Sequence, residues 1–229
     1  MAGWSGRWAG VVDLLAHRGG MMQQGGHGGA YAGLSSLRAS WEALRTDGDV
    51  PHRAQIDPRG IENALPIAFL AEEIAPGVAR LRVAGSQLGR MMGMEVRGMP
   101  LSALIEPDSR DEVAAALKRV FAQPAIAEMS LRAGTGLAQP RLEGRMLLLP
   151  LRAGDGRVSR VLGGLALDGR VGLAPRRLSL TGLQVMPLGS AAEPQAAAQP
   201  GFAEPQQGFT PAPQRGRPAL RVISNDGDD

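Results

Sequence analysis

The segment SRDEVAAALKRVFA, residues 109–122, carries the clearest structural pattern in this chain of 229 residues. Ser109 and Glu112 have the spacing of a capping box at the start of a helix, and Pro124 follows the last periodic position. Apolar residues recur through the segment at helical spacing. They are Val113, Ala116, Leu117, Val120 and Phe121. The pattern predicts one long helix with a single face against the core.

Strand patterns flank this helix on both sides. Before it, residues 67–74 and 78–85 surround the turn Ala75-Pro76-Gly77, which favours a hairpin. After it, alternation and a Gly-Asp-Gly turn predict three more strands, at 125–133, 141–153 and 157–171. The sequence therefore predicts an α+β fold. We expect a five-stranded antiparallel sheet with short helices and one longer helix on one face, preceded by N-terminal helices.

The N-terminal third contains the helices expected before the sheet. Leu37, Trp41 and Leu44 share one face of a predicted helix over 36–48, and Asp57 with Pro58 has the pattern of a second helix start. An earlier amphipathic pattern has two interpretations: a helix lying on a membrane or partner, or a frayed extension upstream of the true start. Its apolar positions are Trp4, Trp8, Val11, Val12 and Leu15.

Composition divides the chain into three regions. Residues 1–35 are predicted to be a disordered or weakly helical Gly-rich head, and residues 36–175 a folded domain with an N-terminal helical extension. Residues 176–229 are predicted to be a disordered Pro- and Gln-rich tail. A short β-prone strip interrupts the tail, and it is either a docking peptide, for a partner or for the chain's own sheet, or a chance run of apolar residues. The strip contains Leu220, Val222 and Ile223.

The stretch AGSQLGRMMGMEVRGMPLSALI, residues 84–105, is the candidate ligand site. It lacks the Gly-Lys-Ser/Thr ending of a phosphate-binding loop, and its glycines keep the helical turns short. Its methionines are adaptable apolar fillers. They have two interpretations: plain core packing, or a pocket for a small apolar ligand between the short helices and the sheet. The candidate pocket residues are Met91, Met92, Met94, Leu101, Leu104, Val113 and Leu117.

Several kinds of chemistry lack the residues that they need. The chain contains no cysteine, which excludes disulfides, thiolate metal sites and cysteine nucleophiles. Of its three histidines, His17 and His27 lie in the head, and His52 has no acidic neighbour in sequence. The carboxylates of Glu72 and Glu73 would point to opposite faces of a strand. We therefore predict no metal, no cofactor and no catalytic residue.

Charge and hydropathy argue against a nucleic-acid partner and against a membrane-spanning segment. The net charge is only +3, and the sequence pI of about 10.4 reflects the use of arginine as almost the only base. Acidic residues are interspersed with the arginines, whereas nucleic-acid binding needs clustered positive charge. No run of apolar residues is long enough to span a membrane. The N-terminus makes a poor signal peptide, so a cytoplasmic location is expected.

The order of the predicted elements resembles the Per-Arnt-Sim (PAS) sensory family. The similar stretches are WEALRTDGDVPHRAQIDPRGIENALP, FLAEEIAPGVARLRVAGSQLGRMMGMEVRGMPLSALIEPDSR and RMLLLPL, within residues 36–175, and RPALRVIS near the terminus. They are similar to small stand-alone PAS proteins of alphaproteobacteria. The resemblance implies a sensory or interaction role with a ligand pocket in some relatives. Without cysteine, and without histidine in 109–122, thiol-linked chromophores and haem ligation from that helix are excluded.

The resulting hypothesis is a non-enzymatic sensory or regulatory module that acts through protein contact, as a homodimer or with a partner. The candidate contact residues are Trp41 and Leu44, together with the terminal strip. One alternative is a small-molecule enzyme that uses the same pocket, with Glu95 and Arg97 as its polar groups. A weaker alternative is nucleic-acid binding driven by arginine.

Overall fold

A six-stranded antiparallel sheet is the central layer of the protein. The computed structural model describes residues 31–46 and 48–189. The strands lie side by side in the order β2-β1-β5-β4-β3-β6. They are β1 (Ala68–Ala75), β2 (Val78–Ala84), β3 (Ala125–Ala133), β4 (Leu142–Arg152), β5 (Val158–Asp168) and β6 (Leu178–Pro187).

Helices cover both faces of this sheet. Three α-helices lie within the described residues: α1 (Ala32–Glu42), α2 (Ser86–Met92) and α3 (Arg110–Ala122). Four short 3-10 helices accompany them: Arg53–Gln55, Pro58–Ala64, Leu101–Leu104 and Pro107–Ser109. The predicted hairpin, the short helices after it, the long helix and the three later strands are confirmed. The predicted helix that contains Trp4 lies outside the described residues.

The two faces of the sheet carry separate hydrophobic clusters. The inner cluster packs α2 and α3 against Phe69, Leu81 and Met129 on one face, which we call the inner face. The outer cluster packs α1 and the 3-10 helix Pro58–Ala64 against the opposite, outer face. Side chains of successive strand residues point to opposite faces, so every central strand serves both clusters. The Asp57 carboxylate accepts the Arg59 N–H at 3.0 Å, which confirms the predicted start of the 3-10 helix.

A glycine pair in β5 allows both layers to approach the sheet closely. On the inner face the ring of Phe69, in β1, lies over its cross-strand partner Gly163, in β5. A Cβ added at Gly163 would overlap this ring. On the outer face an added Cβ at Gly164 would lie 2.7 Å from Leu34 Cδ2 and 3.0 Å from Leu37 Cδ2. Glycine is required here by space rather than by backbone conformation.

The sixth strand corrects the predicted architecture. We expected five strands and a disordered tail from residue 176, but β6 occupies residues 178–187 and pairs with β3 along its whole length. Half of its residues are Leu, Val or Met, but the additional residue Thr181 interrupts their alternation, and half of its residues are exposed. Backbone hydrogen bonds with β3 stabilise β6, and this contribution cannot be seen in the pattern of side chains along the sequence.

The Ser109 hydroxyl also differs from expectation. The side chain makes no cap bond to α3, so the predicted capping box with Glu112 is wrong. Instead, its Oγ accepts the Leu180 N–H at 3.0 Å, next to the point where Glu106 N–H donates to Leu178 O. The start of α3 is therefore tied to β6 rather than capped locally.

Arg176 anchors the segment that leads from β5 to β6. Its side chain is 2% exposed and donates to the carbonyl oxygens of Val171, Gly134 and Pro140, the last two at 2.8 Å. Its own N–H donates to Met91 O at 3.0 Å. A buried guanidinium is tolerated because these carbonyls replace its hydration. This single side chain joins the β3–β4 loop to the approach to β6.

Replacing Gly163 with alanine should destabilise the fold. Because the Phe69 ring fills the space of the new methyl group, we expect the free energy of unfolding to fall by about 3 kcal/mol, the upper end for overpacking. Gly134→Ala is the matched control, since no atom lies within 4 Å of its added Cβ. Urea denaturation measures both. If Phe69→Leu restored no stability to Gly163→Ala, the ring would not be the cause.

Arg176→Met should also destabilise the protein, by about 2–4 kcal/mol, because the three hydrogen bonds through which this buried side chain joins the β3–β4 loop to the approach to β6 are lost. Arg177→Met, at the exposed neighbouring position, should change the unfolding free energy by less than about 0.5 kcal/mol. Thermal and urea unfolding of the two variants provide the comparison. Equal losses at both positions would contradict the anchoring role of Arg176.

Candidate functional site

Six of the seven predicted pocket residues lie together in the inner cluster. Met91 and Met92 come from α2, Leu101 and Leu104 from the following 3-10 helix, and Val113 and Leu117 from α3. Each is at most 5% exposed. Their apolar side chains pack against one another and against the inner face of the sheet. This arrangement matches the alternative of core packing that the sequence left open.

Met94 is separated from the other predicted pocket residues. Gly93 ends α2 with a left-handed backbone (φ 70°), and Met94 beyond it is 56% exposed. It lines a surface cavity of about 420 Å³ together with Arg90 and Glu95. The turn at Gly93 therefore directs Met94 to the surface, whereas Met91 and Met92 before it stay buried.

The polar pair considered for catalysis does not converge. The Glu95 carboxylate accepts the backbone N–H of Arg97 at 2.9 Å and so closes its own turn. The Arg97 side chain lines a different cavity, of about 320 Å³, together with Glu72 and Arg82. Acid–base catalysis requires both groups within reach of the same substrate atom. These two side chains line separate surfaces.

The Glu72 carboxylate bridges two arginine side chains rather than facing only solvent. Its carboxylate accepts from Arg82 Nε at 2.6 Å and from Arg160 Nη2 at 3.0 Å. These partners lie on β2 and β5, the two strands that flank β1. The network links three neighbouring strands on one face of the sheet. Its role is to stabilise the pairing of these strands.

An open groove lies on the outer face beside α1. It has a volume of about 620 Å³ and combines polar with apolar lining. We call it the outer groove. The beginning of α1 forms one wall, and the outer face of β3, β4 and β6 forms the floor. Its principal side chains are Tyr31, Arg38, Glu128, Ser130, Arg145 and Gln184.

Charged contacts organise the walls of the outer groove. The Arg145 guanidinium lies over the Tyr31 ring, 4.6 Å from its centroid, and Arg38 forms an ion pair with Glu128 across the groove. Burial, together with the negative charge of Asp168, raises the pKa of the Tyr31 hydroxyl. Tyr31 therefore remains a neutral hydrogen-bonding group at physiological pH. The groove offers donors, acceptors and a stacked cation, but no activated nucleophile.

The predicted contact residues do not form one surface. Trp41 is fully buried in the outer cluster, and its Nε1–H donates to Pro150 O at 2.9 Å. Its predicted role as an exposed contact residue is wrong, because the indole packs under α1 against the sheet. Leu44 is half-buried against the same cluster. Leu220, Val222 and Ile223 lie outside the described residues.

Sequence reasoning missed the outer groove although part of its signal was visible. Alternation in β3 assigns Glu128 and Ser130 to the face opposite Met129. The pattern identifies a polar strip but not its surroundings. The other wall comes from α1, about 90 residues earlier in the chain, as the Arg38–Glu128 pair shows. Only tertiary folding brings these groups together.

Two further properties of the described part of the chain limit its chemistry. No three His, Asp or Glu side chains in residues 31–46 and 48–189 are grouped so that they could hold a metal ion. In the same residues, every helix is too short or too polar to cross a membrane.

Comparison with known proteins identifies the family. A family model described as a PAS domain matches residues 31–166, more than half of the chain. No curated protein matches. One similar solved structure, titled "Structure of an RNA-binding Light-Oxygen-Voltage Receptor", is 21% identical with a TM-score of 0.35; the match covers 51% of this chain and 36% of the other. The chain thus spans only about a third of that receptor, and no conclusion follows from so distant a likeness.

The family match agrees with the observed α+β architecture, in which an antiparallel sheet carries helices on its inner face. PAS domains are generally sensory modules and not enzymes. The chain belongs to the PAS domain family.

Proposed function

We propose that this chain is a non-enzymatic, cytoplasmic PAS module that regulates another protein through direct contact at the outer groove. The observation that carries this proposal is the contrast between the two faces of the sheet. The predicted pocket residues on the inner face pack against one another, whereas the outer face leaves about 620 Å³ open between α1 and the sheet.

The chemistry of the outer groove suits a protein partner. Arg145 stacked on Tyr31 and the half-exposed Arg38–Glu128 pair present both charges and an aromatic ring. Tyrosine and arginine are the residue types that contribute most at protein interfaces. Leu34 and Leu147 supply apolar contact area beside them. The partner is either a second copy of this chain or a different protein.

A small apolar ligand in the predicted pocket is a less supported form of the same regulatory role. A ligand needs a cavity lined by apolar groups with a few polar groups that orient it. The six buried pocket residues are apolar and belong to one packed cluster. Signalling by contact does not require a bound ligand.

The two alternatives have weaker support. Catalysis at Glu95 and Arg97 lacks a shared site, since their side chains line separate cavities. Arginine-driven binding of nucleic acid needs free cations, and many arginines are engaged with carboxylates. Within residues 31–46 and 48–189, those with a carboxylate partner include Arg38, Arg45, Arg82, Arg141, Arg152 and Arg160.

Methionine truncation distinguishes a packed inner face from a ligand pocket. If Met91 is core, Met91→Ala should lower the free energy of unfolding of the ligand-free protein by about 2–5 kcal/mol through a new cavity. Met94→Ala, at the exposed position in the same stretch, should change it by less than about 0.5 kcal/mol. Urea denaturation measures both variants. A loss at Met91 as small as that at Met94 would indicate a pre-existing pocket.

Photo-crosslinking tests the contact surface. A benzoylphenylalanine at position 130, on the exposed floor of the outer groove, should form one discrete adduct in the native cell with a partner or a second copy. The same residue at position 112, on the exposed side of α3, should not. Identification of the adduct by mass spectrometry distinguishes the two partners. No adduct at 130, or the same adducts at both positions, would contradict the proposal.

A further inference from the structure

Two loops leave the sheet at the same end. The pairing register places the last residue of β3 beside the first residues of β4 and β6, and the end of β5 beside the start of β4. The β3–β4 loop comprises residues 134–141, and the β5–β6 loop comprises residues 169–177. The turn after α2 lies against the second loop, because a Cβ added at Gly93 would be 2.9 Å from Ala174 Cβ. Three connections of the chain therefore form one end surface.

Each of these connections exposes a large apolar side chain. Leu137 is 97% exposed, Leu173 is 61% exposed and Met94 is 56% exposed. Within residues 31–46 and 48–189, these are the three most exposed of the large apolar side chains. We call this set the apolar tip. Single apolar side chains are normal on a protein surface, but a group of them at one end of the molecule indicates a contact site.

Leu137 occupies the turn of the β3–β4 loop. Gly136 and Gln139 exchange two backbone hydrogen bonds, both of 3.0 Å, so Leu137 and Ala138 form a two-residue hairpin turn. Ala138 has a left-handed backbone (φ 55°), which glycine or asparagine adopts at lower cost. Glycine and polar residues are the usual choice in such a turn. A leucine with almost no contacts does not stabilise this turn, and its presence there indicates a role in binding.

Hydrogen bonds between the connections hold the apolar tip in place. The Leu173 N–H donates to Ala138 O at 2.8 Å, and Gln139 Nε2 donates to Leu173 O at 3.0 Å. The Arg176 guanidinium also donates to two carbonyl oxygens of the β3–β4 loop, and its backbone N–H donates to Met91 O, in α2, at 3.0 Å. The apolar side chains thus project from fixed backbone. A binding partner gains their contact without the entropic cost of ordering the loops.

Positive charge accompanies the apolar tip. Three segments meet there, at residues 90–95, 132–143 and 168–177, and together they contain six arginines and three acidic residues. One of the acidic residues, Glu143, is already paired with Arg141. The exposed arginines of these segments are Arg90, Arg132, Arg141, Arg170 and Arg177. Apolar side chains and guanidiniums on the same loops are complementary to a membrane surface with anionic headgroups.

We propose that the apolar tip inserts into the surface of a lipid bilayer that contains anionic lipids, while the neighbouring arginines bind the headgroups. Three side chains are too few for a stable protein interface, which uses about 20–30 residues on each side. Withdrawal of one fully exposed leucine from water favours binding about ten- to hundredfold. Each arginine near an anionic surface adds about fivefold. The inference does not depend on the outer groove.

Vesicle sedimentation of the full-length chain tests this inference. The wild-type protein should sediment with vesicles of phosphatidylcholine and phosphatidylserine in a ratio of about two to one, and far less with phosphatidylcholine alone. Leu137→Ser should lower the binding constant for the anionic vesicles at least about tenfold. Ile74→Ser is the matched control, because Ile74 is 44% exposed and lies towards the opposite end of the sheet. It should change the binding constant by less than about twofold.

Substitution of the arginines tests the contribution of charge. Arg170→Gln combined with Arg177→Gln should lower binding to the anionic vesicles at least about tenfold and weaken its dependence on salt. Lys118→Gln combined with Arg119→Gln is the matched control, because Lys118 lies beside Gly77 in the turn between β1 and β2, at the other end of the sheet. This control should change binding by less than about twofold, since salt screens charges at that distance.

A fluorescent label reports which end of the protein enters the bilayer. The chain contains no cysteine, so Thr135→Cys provides a single site for nitrobenzoxadiazole beside Leu137. Gly154→Cys provides the matched site in the exposed turn between β4 and β5, at the opposite end of the sheet, where an added Cβ meets no atom within 4 Å. When anionic vesicles are added, the emission of the label at position 135 should shift to the blue, and that at position 154 should not.

Four results would overturn the inference. The first is a wild-type protein that does not sediment with the anionic vesicles, and the second is equal binding by Leu137→Ser and Ile74→Ser. The third is an equal spectral shift at positions 135 and 154, which would indicate adsorption without a preferred orientation. The fourth is a dimer that forms without lipid and is lost in Leu137→Ser, measured by analytical ultracentrifugation. In that case a second copy of the chain would cover the apolar tip instead.

Discussion

The close approach of two layers to β5 is the constraint on which the rest of the structure depends. Phe69 lies over Gly163 on the inner face, and Leu34 and Leu37 lie over Gly164 on the outer face. Because these are adjacent residues of one strand, their faces are opposite, and neither layer can move away without opening a void. The sheet is therefore the shared wall of two cores, and the position of α1 follows from the same glycines.

This shared wall determines where a contact surface can form. On the inner face, α2, α3 and the 3-10 helix between them bring their apolar side chains into one cluster. On the outer face, α1 is only eleven residues long and packs mainly over β4 and β5. The outer sides of β3 and β6 stay open beside it, with polar side chains on their surface. The outer groove therefore lies beside α1, over the strands that this short helix does not reach.

The sixth strand shows how backbone hydrogen bonds and one buried cation extend a sheet beyond its apolar core. Arg176 replaces the hydration of its guanidinium with three carbonyl oxygens. It thereby directs the chain to β3, where β6 forms a complete antiparallel ladder. Ser109 then ties the start of the strand to the long helix. These contacts make β6 the strand at the border of the sheet.

The sequence by itself determined the five strands, the long helix and the hairpin, because alternation and helical spacing are local consequences of burying one face. It also determined the start at Asp57, since that cap is a contact between neighbours in the chain. Only the tertiary structure decided the sixth strand, the role of Ser109 and the burial of Trp41. Each of these depends on a partner distant in sequence, and no local pattern contains that partner. The outer groove belongs to this second group, because its walls come from α1 and from three strands that lie side by side only after folding.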